Sequence, residues 1–253
     1  MSEPQVLLER RGHVAVITLN RPTAANSISR VILSDLALIE AEIAADSTVH
    51  AVVITGAGKN FCAGMDLAEA LAGEPAAVGA RFGAHRLPQP VIAAINGSAM
   101  GGGCELALAC DIRLAAENAK IGLPEVQFGE LPLLGGTARL GRLIGASAAK
   151  CMILTGDPVD AQTALRLGLV DEVCAPEELL DAAIKLAEKI AGNAAFAVRT
   201  GKSLIDRAMR GDIEDALDRE QSEVLAMASE EERREARRIA AQRSPVYAKL
   251  FRE

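Results

Sequence analysis

Short, almost wholly apolar runs alternate along this chain with longer stretches whose apolar residues recur every three or four positions. Val14–Leu19 (VAVITL), Val49–Thr55 (VHAVVIT) and Val91–Ile95 (VIAAI) are runs of the first kind, and each leads into Asn or Gly turn chemistry. They predict strands, as does Ile112-Arg113-Leu114-Ala115. Between them, Ser29–Ala45 places Val31, Ile32, Leu36, Ile39 and Ile43 at helical spacing. After Gly101-Gly102-Gly103, the stretch Cys104–Cys110 predicts a short apolar helix. Near-continuously apolar strands alternating with helices imply an α/β core whose sheet is covered on both faces.

The strand signal stops near Pro176. Glu177–Ala191, Ala197–Met209, Ile213–Ala228 and Glu230–Gln242 follow as successive helical patterns, which predicts a helical C-terminal quarter beginning near Asn193. The chain is therefore expected to divide into an α/β core over residues 1–192 and a helical region over residues 193–253. Pairs such as Glu230–Arg234 in the last pattern fit a solvated helix face.

Composition narrows the chemistry. Half of the 253 residues are apolar, but there is no Trp, one Tyr and five Phe, so the core must be built from Ala, Leu, Ile and Val. Base stacking on aromatics is excluded as a mode of action. A net charge of −7 excludes a broad phosphate-binding face, which needs a basic surface. No nucleic-acid partner is expected. No apolar run approaches the ~20 residues that cross a bilayer, and Met1–Arg11 has no signal-peptide apolar stretch. Five cysteines without C-x-x-C spacing fit free thiols in a reducing compartment, so a cytoplasmic protein without a membrane partner is expected.

Several glycine motifs fail. The dinucleotide fingerprint G-x-G-x-x-G started at Gly101 meets Leu106 where the last Gly belongs, and started at Gly97 it meets Ala99. Gly56-Ala57-Gly58-Lys59 lacks the phosphate-loop spacing and its following Ser or Thr. Gly145-Ala146-Ser147-Ala148-Ala149 lacks the last glycine of a nucleophile elbow, and His13, His50 and His85 all precede it, so Ser147 is read as a helix N-cap.

Gly97 through Gly103 carries another meaning. Glycines between a strand and a helix let a ligand approach the backbone, and the first helical turn offers unpaired N–H groups that can hold an oxyanion. Taken alone, the glycines also fit a tight packed turn. Glu105 shifts the balance: it stands in the first turn of an otherwise apolar helix, where a carboxylate either caps the dipole or does chemistry. Glu125, in Gly122-Leu123-Pro124-Glu125-Val126, is a second carboxylate with apolar neighbours. Two carboxylates beside backbone donors suit proton transfer to and from a polarised carbonyl compound.

Three segments together resemble a known family. Phe61-Cys62-Ala63-Gly64-Met65-Asp66-Leu67 resembles the F-x-A-G-x-D-L/I segment of the crotonase (enoyl-CoA hydratase/isomerase) superfamily. Asn96-Gly97 through Gly101-Gly102-Gly103-Cys104-Glu105-Leu106 resembles its N-G-x-A-x-G-G-G-x-E-L segment, and Pro124-Glu125, Gly129, Pro132 and Gly135-Gly136-Thr137 its third. Leu19-Asn20-Arg21-Pro22 and Leu154-Thr155-Gly156 fit as well, so the likeness runs in order over most of the chain.

The resemblance implies a spiral of ββα units followed by a helical trimerisation region, in a homotrimer or a hexamer built as a dimer of trimers. It implies an acyl-CoA substrate, with coenzyme A as part of that substrate and no separate cofactor or metal. By position, the backbone N–H groups of Met65 and Gly102 would form the oxyanion hole, Glu105 and Glu125 would be the catalytic pair, and Ala24, Ala63, Asp66 and Leu67 would line the coenzyme path. The reaction implied is hydration of trans-2-enoyl-CoA to 3-hydroxyacyl-CoA. An enoyl-CoA isomerase or carnitinyl-CoA-type dehydratase on the same scaffold stays open, as does a non-catalytic acyl-CoA-binding protein. Leu133 stands where hydratases of the family commonly have Gly, so a narrowed pocket is one expectation. Glu130 is expected as an exposed loop charge, and Arg243, Tyr247 and Lys249 as surface residues or coenzyme contacts from a neighbouring subunit.

Overall fold

The apolar runs become strands of two sheets in a computed structural model that describes residues 4–66, 68–69, 83–209, 211, 215, 220, 222–223 and 226–243. In chain order the strands are β1 (Val6–Arg11), β2 (Val14–Leu19), β3 (Ala51–Gly56), β4 (Asn60–Cys62), β5 (Val91–Ile95), β6 (Ser98–Met100), β7 (Ile112–Ala116), β8 (Lys120–Gly122), β9 (Val159–Asp160) and β10 (Glu172–Cys174). One sheet has the order β1-β2-β3-β5-β7-β10 and the other β4-β6-β8-β9. The chain visits both sheets in each turn: β3 then β4, β5 then β6, β7 then β8. From β3 to β7 each visit adds a strand parallel to the last, with Val52 opposite Val91 and Ile92 opposite Ile112 in the larger sheet. This is the spiral of ββα units that the resemblance implies, with the α2 helix (Gly102–Ala109) closing the β5–β6 unit.

Both faces of the larger sheet are covered. Val14, Val16, Val53, Ile92 and Leu114 pack in one apolar cluster with Leu179 and Ile184 of helix α6 (Leu179–Ala191). Ala15, Ile17, Ile54, Ala93 and Ile95, which alternate with them along the strands, pack in the other. Continuous apolar strands arise because neither face meets water.

Helix α1 (Arg30–Ala45) starts where predicted: the Ser29 side chain accepts from the Ile32 amide at 3.2 Å. Its buried stripe includes Ile32, Leu36 and Ile43, whereas Val31, also on the predicted face, is half exposed. Ser147 is not a cap. It lies inside helix α4 (Ala146–Thr155), and Gly145 holds the cap position. Helix α2 begins two residues earlier than predicted, so Gly102 and Gly103 belong to its first turn, and all eight of its residues are buried.

Among the described residues the remaining helices are α3 (Gly136–Ile144), α5 (Ala161–Leu167), α7 (Ala195–Ala208) and α8 (Glu230–Arg243). The pattern over Ile213–Ala228 lies largely outside the described residues. In α8, Glu230 pairs with Arg237 at 3.0 Å, and Arg238 with Glu235 at 2.7 Å, in place of the Glu230–Arg234 pair expected. Helix α7 is tied to the segments that lead into β3 and β7 by Arg199, which donates to the Val49 carbonyl at 3.0 Å, and by Lys202, whose ammonium meets Asp111 at 2.6 Å. Among the described residues no helix is long and apolar enough to cross a membrane.

Candidate active site

The site gathers where the smaller sheet's strands end. Strand β4 runs out into Ala63-Gly64-Met65-Asp66, and this turn is laced to the chain before α1. The Ile28 amide donates to Gly64 O at 2.7 Å, and the Asp66 amide donates to Ile28 O at 3.0 Å. In such a parallel pairing the group between, Met65, directs its own N–H away from Ile28. The Ala63 amide donates to Ala25 O at 3.0 Å, which sets exposed Ala63 beside the turn ending at Ala24. Leu67 lies outside the described residues. Asp66 is occupied within the loop: it pairs with Arg21 and accepts from the Ala68 amide at 2.9 Å. The hydrogen bond from Arg21 is the main reason its carboxyl sits below the usual carboxylate range.

Opposite this turn stands the N-terminus of α2. Gly101 has φ +50°, a conformation that other residues adopt only with strain, and its amide donates to Gly122 O at 2.9 Å. Gly102 opens the helix, so its N–H has no carbonyl one turn back. A Cβ placed on Gly102 would lie 3.7 Å from the Gly64 Cα, and one on Gly64 would lie 3.4 Å from the Gly102 nitrogen. The Gly64–Met65 backbone and the Gly101–Gly102 backbone are therefore in contact, and this closeness depends on the missing side chains.

Two carboxylates adjoin those amides. Glu105, one turn into α2, is only 2% exposed. It does not cap its own helix: Oε1 accepts from the Leu134 amide at 2.7 Å and the Gly136 amide at 2.8 Å. Glu125 opens the 3-10 turn Glu125–Phe128 that follows β8, and its Oε1 lies 3.2 Å from where a Gly101 Cβ would be. Its other oxygen, Oε2, is buried without a hydrogen-bond partner among the described residues. Burial pushes both carboxyls above the usual range. For Glu105 the two amides and the Arg139 charge oppose that push, whereas for Glu125 the negative charge of Glu105 adds to it.

The raised Glu125 value has a consequence for stability. The folded chain keeps this proton at pH values where the unfolded chain releases it, so the residue costs stability as pH rises through its raised value. Glu125→Gln is expected to raise Tm above that of the parent at pH 8, with the difference closing by about pH 4, where both states hold the proton. Calorimetry at the two pH values checks this, and a variant no more stable than the parent at pH 8 contradicts it.

Leu133, in the loop that precedes the Leu134–Gly136 turn, is 69% exposed. Glu130 is exposed as expected. Arg243 lies against the end of α6, with its guanidinium 3.1 Å from a Cβ placed on Gly192, while Tyr247 and Lys249 lie outside the described residues. Unanticipated were the Leu134 and Gly136 amides that hold Glu105, and Arg139. Backbone donors leave no side-chain signature, and a single Arg on a helix carries no spacing signal.

A family model described as Enoyl-CoA hydratase/isomerase matches residues 9–249. The short-chain-enoyl-CoA hydratase of Clostridium acetobutylicum is 46% identical over 84% of this chain and 85% of its own. The crotonyl-CoA hydratase of Syntrophomonas wolfei is 41% identical over 86% and 87%. The crystal structure of enoyl-CoA hydratase from Mycobacterium tuberculosis superposes with a TM-score of 0.88 at 37% identity, covering 95% of this chain and 97% of that one. Two sheets wound as one spiral, with helices after them, define the crotonase class of α/β protein. This chain belongs to the enoyl-CoA hydratase/isomerase family and is an enzyme of it.

Proposed function

We propose that this enzyme adds water across the double bond of a trans-2-enoyl-CoA thioester to give the 3-hydroxyacyl-CoA. The observation that carries the proposal is a buried carboxylate, Glu105, and a half-buried one, Glu125, whose Oε2 is buried, set next to the amide-bearing start of α2 and repelling each other when both are ionised. The names of the two curated relatives, short-chain-enoyl-CoA and crotonyl-CoA hydratase, support a small acyl group. The family resemblance supports a homotrimer or a dimer of trimers.

In this mechanism the thioester oxygen accepts from the N–H groups of Met65 and Gly102. That drains charge from the conjugated system and makes C3 electrophilic. One water sits between the carboxyls. Glu105, oriented by two amides, is the base that takes a proton as the water oxygen bonds to C3. Enolate charge collects on the thioester oxygen. Glu125, whose carboxyl burial and the neighbouring charge keep protonated further up the pH scale, supplies the proton to C2. The proton left on Glu105 then returns to Glu125, so the sum is one water consumed, one O–H bond broken, one C–O and one C–H bond formed and one C=C π bond lost, with water the only co-reactant. Exposed Ala63 and the turn at Ala24 line the way in for the coenzyme, with Asp66 bracing the loop and Leu67 following it.

The test is incubation of the full chain with crotonyl-CoA. The conjugated-thioester absorbance should fall, and mass spectrometry should find a product heavier by one water. A product of unchanged mass with a moved double bond would make the enzyme an isomerase. Binding of crotonyl-CoA with no reaction would overturn the hydratase proposal.

A further inference from the structure

The turn that holds Glu105 is itself held. Leu134, Gly135 and Gly136 lead into α3, and the amides of Leu134 and Gly136 both donate to Glu105 Oε1. Between those two donors lies the Leu134 carbonyl, and Arg139 Nη1 donates to it at 2.8 Å. The guanidinium lies directly against Gly135: a Cβ there would sit 2.1 Å from Nη1 and 3.1 Å from Cζ. Gly135 also has φ +111°, so the turn needs glycine for its conformation as well as for the room it leaves Arg139.

We infer that Arg139 is a positioning residue, whose guanidinium locks the Leu134–Gly136 turn around one oxygen of Glu105. The fork of an Arg can hold a backbone carbonyl and still present charge to a neighbour, which the point charge of Lys does less well. The Arg139 charge acts to lower the carboxyl that burial raises. Other titratable groups packed around α2 are Glu125 from the 3-10 turn, Cys62 from β4, Cys104 and Cys110 on and at the end of α2 itself, Arg113 of β7, which donates to the Cys110 carbonyl at 2.7 Å, Arg142 along α3, and His85 and Arg86 in the turn Gly83–Arg86; β6 brings none. Among them Glu125 is negative when ionised and works against the charge on Glu105. Arg139 thus adds its charge to the Gly136 and Leu134 amides in favouring an ionised Glu105 beside a second acid.

The kinetic part of this inference rests on the hydratase reading of Glu105; the ionisation part does not. The first measurement is the carboxyl-carbon NMR titration of Glu105 in protein labelled at glutamate, with the signal assigned by Glu105→Gln. In Arg139→Gln the inflection is expected at higher pH than in the parent, and in Arg139→Lys close to it. The second is kcat and KM for crotonyl-CoA against pH. Arg139→Gln should lose kcat by a factor on the order of 10–100 with KM within about twofold, and its acid limb should move to higher pH. Arg139→Lys should return the limb to its place while recovering only part of kcat. An unmoved Glu105 titration in Arg139→Gln overturns the inference. So does an Arg139→Lys enzyme indistinguishable from the parent in kcat, which also decides the matter if Arg139→Gln does not fold. Should Glu105→Gln keep full activity, the hydratase reading fails, while the titration still reports whether Arg139 governs Glu105.

Discussion

Replacing Glu105 or Glu125 with glutamine is expected to lower kcat for hydration by about 10²–10⁴-fold, the usual worth of a positioned proton-transfer group. KM should change little. The expectation is specific because the fold should tolerate both changes. In Glu105→Gln the side-chain amide keeps an oxygen for the Leu134 and Gly136 amides, which donate to the carboxylate at 2.7 and 2.8 Å. At position 125 the buried oxygen Oε2 has no partner among the described residues to lose. Each variant therefore removes a proton-transfer function with the local architecture left in place. The two losses should not add. If both carboxyls act on one water, the double variant falls little below the worse single, because the first loss already disables the unit. Full activity in either single variant would remove that residue from the mechanism.

The second large effect is expected at Gly103, which touches neither substrate nor proton. A Cβ there would lie 2.1 Å from the Cys62 carbonyl oxygen and 2.8 Å from the Cys62 carbonyl carbon. Both are main-chain atoms of β4, so no side-chain rotation relieves the clash, and α2 must move off the strand. That helix carries Gly102 and Glu105 together. Gly103→Ala should cost stability by about 1–3 kcal/mol, as overpacking of a close contact does. It should also lower kcat by about 10²-fold, as a shift of roughly 1 Å at a reacting group can. Gly141→Ala is the control, because a Cβ at Gly141 meets nothing within 4 Å and alanine favours helix α3. It is expected to leave kcat unchanged and to raise Tm. Equal behaviour of the two variants in thermal melts and in turnover would refute this account of the β4–α2 contact.

How far the molecule can be read from its residues depends on element length. Val14–Leu19 and Val91–Ile95 match β2 and β5 residue for residue, because strands buried on both faces need unbroken apolar runs. The strands β4, β6 and β8, three residues each, show no periodicity, yet they place the loops of the site. Only the family resemblance brought the spiral that links them into view. Glu105 and Glu125 could be picked out because a carboxylate among apolar neighbours is costly without a role. Their mutual approach is a tertiary fact. So is the engagement of Asp66 by Arg21, which braces the loop expected along the coenzyme path. The Leu134–Gly136 grip on Glu105 is made by main-chain donors, which any sequence could supply.

The most direct measurement is a crystal structure of the full enzyme with a 3-hydroxyacyl-CoA bound. The account predicts the thioester oxygen about 2.7–3.1 Å from the amide nitrogens of both Met65 and Gly102. It also predicts the C3 hydroxyl between the carboxyls of Glu105 and Glu125. A thioester oxygen bonded elsewhere, or either carboxyl turned out of the cavity that holds the acyl group, would contradict it.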